Sequence, residues 1–246
     1  MPPDSVRGRR LASMPLTFIR DLDRNVLVAF LLLAVLLTGV GNLASEVVEG
    51  DTLAFDRWLI AGLRDPADPG SPRGPAWLTK TMVDLTALGG GPFLTLLTVA
   101  AAGFLLAARK RGMALFVVIA IAGGGLAADG LKMIFVRARP DLVPHLVNVD
   151  SASFPSAHAM NSAVTFLTLG VLLSRTQPDR RLQAYLMGAA IVLTLIVGFT
   201  RVYLGVHWPT DVVAGWAVGA PWAIACSLVA TWLQRRRTIE GEGKRE

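Results

Sequence analysis

A single cysteine, Cys226, stands in 246 residues, so no disulfide can form within the chain and cysteine usage is silent about compartment. Histidine is almost as scarce. His145, His158 and His207 are the only three, and no pair of them has the close spacing of metal ligands, so metal catalysis is not expected. Charge is thin too. Asp, Glu, Lys and Arg make up 17% of the chain against 53% hydrophobic residues, and the mean hydropathy is +0.52, which excludes an ordinary soluble domain. The glycine clusters 89–91 and 123–125 are not followed by Lys-Ser/Thr, so neither is a phosphate loop. Close helix packing is the expected use of both. No internal repeat is present, and one membrane-embedded domain over 1–246 is expected.

What the chain has instead is long runs without charge. They cover 25–45, 85–108, 112–128, 151–174, 182–200 and 212–234. All reach the roughly 17–25 residues of a membrane-spanning helix. The third is the shortest and can extend through 130–136 across Asp129 and Lys132. The expected fold is all-α, an integral membrane bundle of six transmembrane helices. The first run follows a basic flank and has no small-x-small cleavage site, so it reads as a retained helix rather than a secretory signal.

In a six-span arrangement, 16 of the 24 Lys and Arg fall on the side of the two termini. The positive-inside rule then places both termini in the cytoplasm and the opposite span ends on the outer face. The isoelectric point near 10.2 reflects that bias and anionic lipid headgroups. Nucleic acid is not an expected partner, because the basic residues are scattered over loops.

Between the first two spans, residues 52–64 place Phe55, Trp58, Leu59 and Leu63 at helical spacing, with Asp56, Arg57 and Arg64 on the other side. This predicts a short helix lying in the outer interface. The Pro- and Gly-rich stretch 65–75 predicts a loop. The whole segment reads as a structural cover or as a lid over a lipid-entry gap.

Three polar clusters break the apolar pattern, each at a span end: Lys132-x6-Arg139-Pro140, Pro155-Ser156-Ala157-His158, and Arg201-x5-His207-x3-Asp211. Lys132 and Arg139, two turns apart, share a face if the helix persists to Pro140. Asp129 is a possible partner for Lys132, whose charge is costly inside a span. Ser156 is a natural N-cap, and the amides of Ala157 and His158 at a helix start make an anion site. At spacing four, Asp211 can bind one nitrogen of His207 and leave the other bare as a nucleophile. The same pair can also be purely structural. Arg201 brings a third cation, a set that suits a phosphate dianion.

These clusters resemble the signature of the type 2 phosphatidic acid phosphatases, a superfamily shared with vanadium haloperoxidases and glucose-6-phosphatase. That signature runs Lys-x6-Arg-Pro, Pro-Ser-Gly-His and Ser-Arg-x5-His-x3-Asp. Here Ala157 replaces glycine and Thr200 replaces serine. The resemblance implies a phosphatase without metal or organic cofactor. Lys132, Arg139, Ser156, Ala157 and Arg201 would hold the phosphate. His207 would attack phosphorus, Asp211 would orient it, and His158 would protonate the leaving oxygen and then activate water. The expected substrates are membrane lipids bearing a phosphate, such as undecaprenyl diphosphate, phosphatidylglycerophosphate or phosphatidic acid. A six-span transporter or channel with an anion-binding outer mouth is the alternative. Asp141, His145, Asn148 and Asp150 are the candidate headgroup readers.

Overall fold

The computed structural model describes residues 24–236 and 239, and the regular structure among them is helical. The helices are α1 (Arg24–Glu49), α2 (Leu53–Gly62), α3 (Ala76–Thr86), a 3₁₀ turn (Ala87–Gly89), α4 (Gly91–Ala107), α5 (Arg111–Ile134), α6 (Ala157–Arg175), α7 (Arg180–Tyr203) and α8 (Pro209–Arg235). Helices α5 to α8 are each long and apolar enough to cross a membrane. Helices α3 and α4 are together long and apolar enough for a fifth span, as a pair bent by 49°. The sequence points to six spans. Its first run, 25–45, lies in α1, where several side chains fall outside the described residues.

The bend replaces the straight span expected over 85–108. Gly90 is extended, with ψ 148°, and Pro92 opens the first turn of α4. Proline lacks the amide needed to continue the preceding helix, so the chain restarts at a new angle. Gly89, just before the break, has a packing role. A Cβ there would lie 2.3 Å from Val197 Cγ1 and 3.3 Å from His158 Cδ2. At the second glycine cluster a Cβ on Gly124 would meet Val164 at 2.7 Å, so close helix packing holds for both clusters.

Helix α6 is the centre of the bundle and the most buried span. It packs against α7 and α8. Its approach to α8 depends on Gly215, where a Cβ would stand 2.7 Å from Ser156 O. That contact sets the start of α6 beside the start of α8, so the second and third polar clusters meet.

Two expectations need correction. Helix α5 ends at Ile134 and Phe135 is extended, so Lys132 and Arg139 do not share a helical face and Pro140 ends no helix. Residues 135–140 instead alternate like a strand. Phe135, Arg137 and Arg139 turn inward, while Val136 is 85% exposed. The Phe135 ring meets Phe154 edge-on at 5.3 Å, which fixes this parity.

Helix α2 divides its sides differently from the expected pattern, with Leu59 and Leu63 packed on the core and Arg57 exposed. Phe55 and Trp58 face outward, whereas Asp56 and Arg64 are buried. Arg64 Nη1 donates to Tyr203 O at 2.9 Å, and Ile60 enters a core cluster with Val143, Ala159, Val202, Trp208 and Val212. Polar partners inside the bundle outweigh water as a destination for these charges, and the aromatic pair suits a lipid surface.

Candidate active site

The site is built from helix ends and the loop between α5 and α6. Lys132, in the last turn of α5, extends its Nζ to Ala152 O at 2.6 Å and Ser151 Oγ at 3.2 Å. These acceptors, not the expected Asp129, hold the ammonium. Arg139 reaches the same loop, donating from Nε to Ser151 O at 2.8 Å and from Nη1 to Val206 O at 2.6 Å. Burial pulls the Arg139 guanidinium below its ordinary pKa, with Asp211 and Asp150 opposing.

Arg139 Nη1 also lies 3.2 Å from His207 Nε2. A guanidinium has donors only, so Nε2 accepts and carries a lone pair. The ring proton therefore sits on Nδ1, 3.4 Å from Asp211 Oδ2. His207 is 2% exposed. Burial brings its pKa down to about 4, against the upward pull of Asp211 and with Arg139 and Arg201 adding to the fall. The imidazole is neutral at neutral pH, with its bare nitrogen facing the cations. That is the state a nucleophile needs.

The His207–Asp211 contact forms across the entry to α8, not within a regular helical turn. Trp208 is the N-cap, Pro209 opens the helix, and Asp211 Oδ2 accepts from Trp208 N at 2.9 Å. Arg201 ends α7 almost fully buried, with Nη1 on Thr86 Oγ1 at 3.0 Å. Its Nε has no hydrogen-bond partner among the described residues. Ser156 precedes α6, but its hydroxyl makes no capping bond. It is fully buried, and its Oγ has no partner among the described residues either. The backbone N of Ser156 donates to Asp211 O at 3.0 Å. Ala157 and His158 occupy the first turn of α6, whose amides lack intrahelical acceptors. His158 rests against Gly89, within electrostatic range of Arg201, His207, Lys132 and Arg139. Thr200 does not join this group, because its hydroxyl turns back to Val197 O at 2.6 Å.

All eight residues expected from the sequence thus come to one place. Four others were missed. Ser153 Oγ donates to Asp211 Oδ2 at 2.5 Å. Arg137 donates from Nη1 to Asp211 Oδ1 at 2.6 Å and to Thr210 Oγ1 at 2.8 Å. Its Nη2 reaches Asp56 Oδ2 at 2.8 Å. Asp56 also accepts from Thr210 N at 3.0 Å and Thr210 Oγ1 at 2.7 Å. Arg137 had one available signal: extended backbone before Pro140 gives it the parity of Arg139. Among the candidate headgroup readers, His145 Nε2 donates to Pro140 O at 2.8 Å, and Asp141, Asn148 and Asp150 are exposed on the same loop. Among the described residues, no three of His, Cys, Asp and Glu come close enough to hold a metal ion.

Apolar helices around a cluster of cations, with a histidine backed by a carboxylate, define a membrane-embedded helical protein built around a polar, cation-rich site. Residues 112–235 match the PAP2 superfamily, and the chain belongs to it. It is a multi-span membrane phosphatase of that family. The chain is 34% identical over 146 residues to phosphatidylglycerophosphatase B of Bacillus subtilis (strain 168), covering 58% of this chain and 70% of that protein. It is 29% identical over 170 residues to a lipid A 1-phosphatase of Rhizobium johnstonii, covering 63% of this chain and 62% of that protein. Its fold is similar to the crystal structure of a transmembrane PAP2 type phosphatidylglycerolphosphate phosphatase from Bacillus subtilis, with TM-score 0.70 and 28% identity, covering 82% of this chain and 98% of the other.

Proposed function

We propose that the protein removes phosphate from lipid phosphomonoesters or diphosphates, through a phosphohistidine on His207. The observation that carries this reading is His207 itself: Nε2 bare beside Arg139, Nδ1 directed at Asp211.

Lys132, Arg139 and Arg201 neutralise the phosphate oxygens, with Ser156 Oγ and the Ala157 amide as further donors. Arg139 passes its Nη1 bond from Nε2 to a phosphate oxygen as the substrate enters. Nε2 then attacks phosphorus in line while the bond to the lipid oxygen breaks. His158 supplies the proton that this oxygen takes. In the second half, His158 takes a proton from water, the hydroxide displaces His207, and inorganic phosphate leaves. The rate comes from positioning and from charge already arranged around the transferring group. No step calls for a metal.

The excess of Lys and Arg on the side of the termini supports a site opening on the outer face of the inner membrane, with both termini in the cytoplasm. Burial of Arg64 and Arg201 and the two ion pairs of Arg137 strengthen that bias, since three of the eight cations assigned to the outer side are structural or at the site rather than free in loops. Few polar groups at the mouth offer headgroup-specific contacts, which favours an isoprenoid or glycerolipid phosphatase of broad range. The test compares kcat/KM on undecaprenyl diphosphate, phosphatidylglycerophosphate, phosphatidic acid and a soluble sugar phosphate. Turnover of the three lipids within about a hundredfold, roughly 2.7 kcal/mol, supports breadth. A preference for the sugar phosphate overturns it.

A further inference from the structure

We propose that Asp56, on the lipid-facing helix α2, is a positioning residue for the nucleophile and acts on His207 through Arg137 and Asp211. The proposal rests on His207 being the group that attacks phosphorus.

The geometry is a relay of buried charge. Asp56 is 0% exposed, as is Asp211, and both carboxylates bind one guanidinium, that of Arg137, at 2.8 and 2.6 Å. Thr210, next to Asp211 in the chain, gives its backbone N–H and its hydroxyl to Asp56. Asp56 therefore grips the start of α8 twice, once through the Thr210 backbone and once through Arg137. The carboxylate that faces His207 is set by that grip.

The charge count shows a second effect. One guanidinium shared between two carboxylates leaves a net negative charge in the trio. If Asp56 were neutral, the Arg137 charge would fall on Asp211 alone, and Asp211 would polarise the Nδ1–H of His207 less. The bare Nε2 would then be a poorer nucleophile. The other charged or titratable groups facing His207 are Arg139, Arg201 and His158, and none of them contacts Asp56. Asp56 thus acts on the nucleophile without touching the phosphate clamp. The outer face of the same helix carries Phe55 and Trp58, at 50% and 71% exposure.

The variant is Asp56→Asn in the full-length protein, close in shape but with one acceptor oxygen, so it cannot accept from the Thr210 backbone N–H at one position and from Arg137 and the Thr210 hydroxyl at the other. Three measurements are made: turnover of phosphatidic acid, calorimetric binding of vanadate, which bonds to the nucleophile, and binding of inorganic phosphate, which reports the clamp. Expected are a kcat lower by about tenfold with KM within twofold, vanadate binding weaker by a similar factor, and phosphate binding unchanged. In the double variant, adding Asp56→Asn to Arg137→Gln costs less than Asp56→Asn alone, because part of the effect runs through Arg137 and the rest through Thr210. If Asp56→Asn does not fold, Thr210→Val, which removes one arm of the grip, shows the same pattern at smaller size. Equal loss of vanadate and phosphate binding, or a folded Asp56→Asn with unchanged kcat and vanadate affinity, overturns the proposal. Failure of the wild-type protein to hydrolyse any lipid phosphate overturns the phosphatase reading instead, and the comparison of vanadate with phosphate still decides the role of Asp56. Absence of vanadate binding in the wild type removes the nucleophile and the proposal with it.

Discussion

Ser153 and His207 address the same oxygen of Asp211. The serine hydroxyl lies 2.5 Å from Oδ2, while the imidazole Nδ1 lies 3.4 Å from it. With Trp208 N–H as a third donor, Oδ2 is held in place by neighbours that leave the histidine the longest contact. Removing the hydroxyl takes away the shortest of three hydrogen bonds to this buried carboxylate oxygen, and a bond to a charged group contributes about 1.5–3 kcal/mol. Ser153→Ala is expected to lower kcat by about tenfold with little change in KM, measured as phosphate release from phosphatidic acid. Ser153→Thr, which keeps the hydroxyl, should recover most of it.

His207→Ala should abolish turnover, since no other group can take the phosphoryl. Trapping with a radiolabelled lipid phosphate should label the wild-type protein on His207 and fail in the variant. His158→Ala should still be labelled by a substrate with a good leaving group but release phosphate slowly, because the second half-reaction needs a base for water. Normal steady-state activity in His207→Ala would remove the mechanism.

The depressed pKa of His207 gives a pH dependence of stability. An unfolded histidine titrates near 6.5, and the buried His207 near 4. Between those values the unfolded state binds a proton that the folded state does not, so stability falls as the pH drops through that window. His207→Gln removes this contribution. Melting midpoints in detergent from pH 7 to pH 4.5 should therefore fall further for the wild type than for His207→Gln. Parallel curves would show that His207 is not held neutral.

Gly215→Ala tests the packing that joins the two halves of the site. Its methyl would stand 2.7 Å from Ser156 O and 2.9 Å from Ala159 Cβ. Overpacking of this kind costs about 1–3 kcal/mol, and here it pushes the start of α6 away from Asp211. Both a lower melting midpoint and a lower kcat are expected, the second because the Ser156 N to Asp211 O bond is lost.

Orientation is open to labelling in a Cys226→Ala background. A cysteine at exposed Asn148 should react with an impermeant reagent from outside in intact cells, and one at exposed Thr176 should not. The reverse pattern would place the site on the cytoplasmic side.

Much of this was legible in the chain because it depends on local spacing. The apolar runs became α5 to α8 within a few residues, since a membrane span must satisfy its own backbone and so forms a helix wherever the run is long enough. The residues that meet at the candidate site were equally visible as polar clusters at span ends, in Lys132 to Pro140, Pro155 to His158 and Arg201 to Asp211. Tertiary structure decided the rest. The sequence places Asp56 on the polar side of a short interfacial helix and says nothing of its partners. Its side chain turns inward because Arg137 and Thr210, more than 80 residues away, offer it partners that lipid does not. Arg137 and Arg139 share a face only because α5 stops at Ile134 and the backbone becomes extended, changing the period from 3.6 to 2. Ser153 had no sequence signal, and the loop that carries it is placed by its pairing with Arg137 O at 2.9 Å. Helices follow from contacts three and four residues apart, whereas a buried charge takes its orientation from whichever partner the finished fold brings within reach.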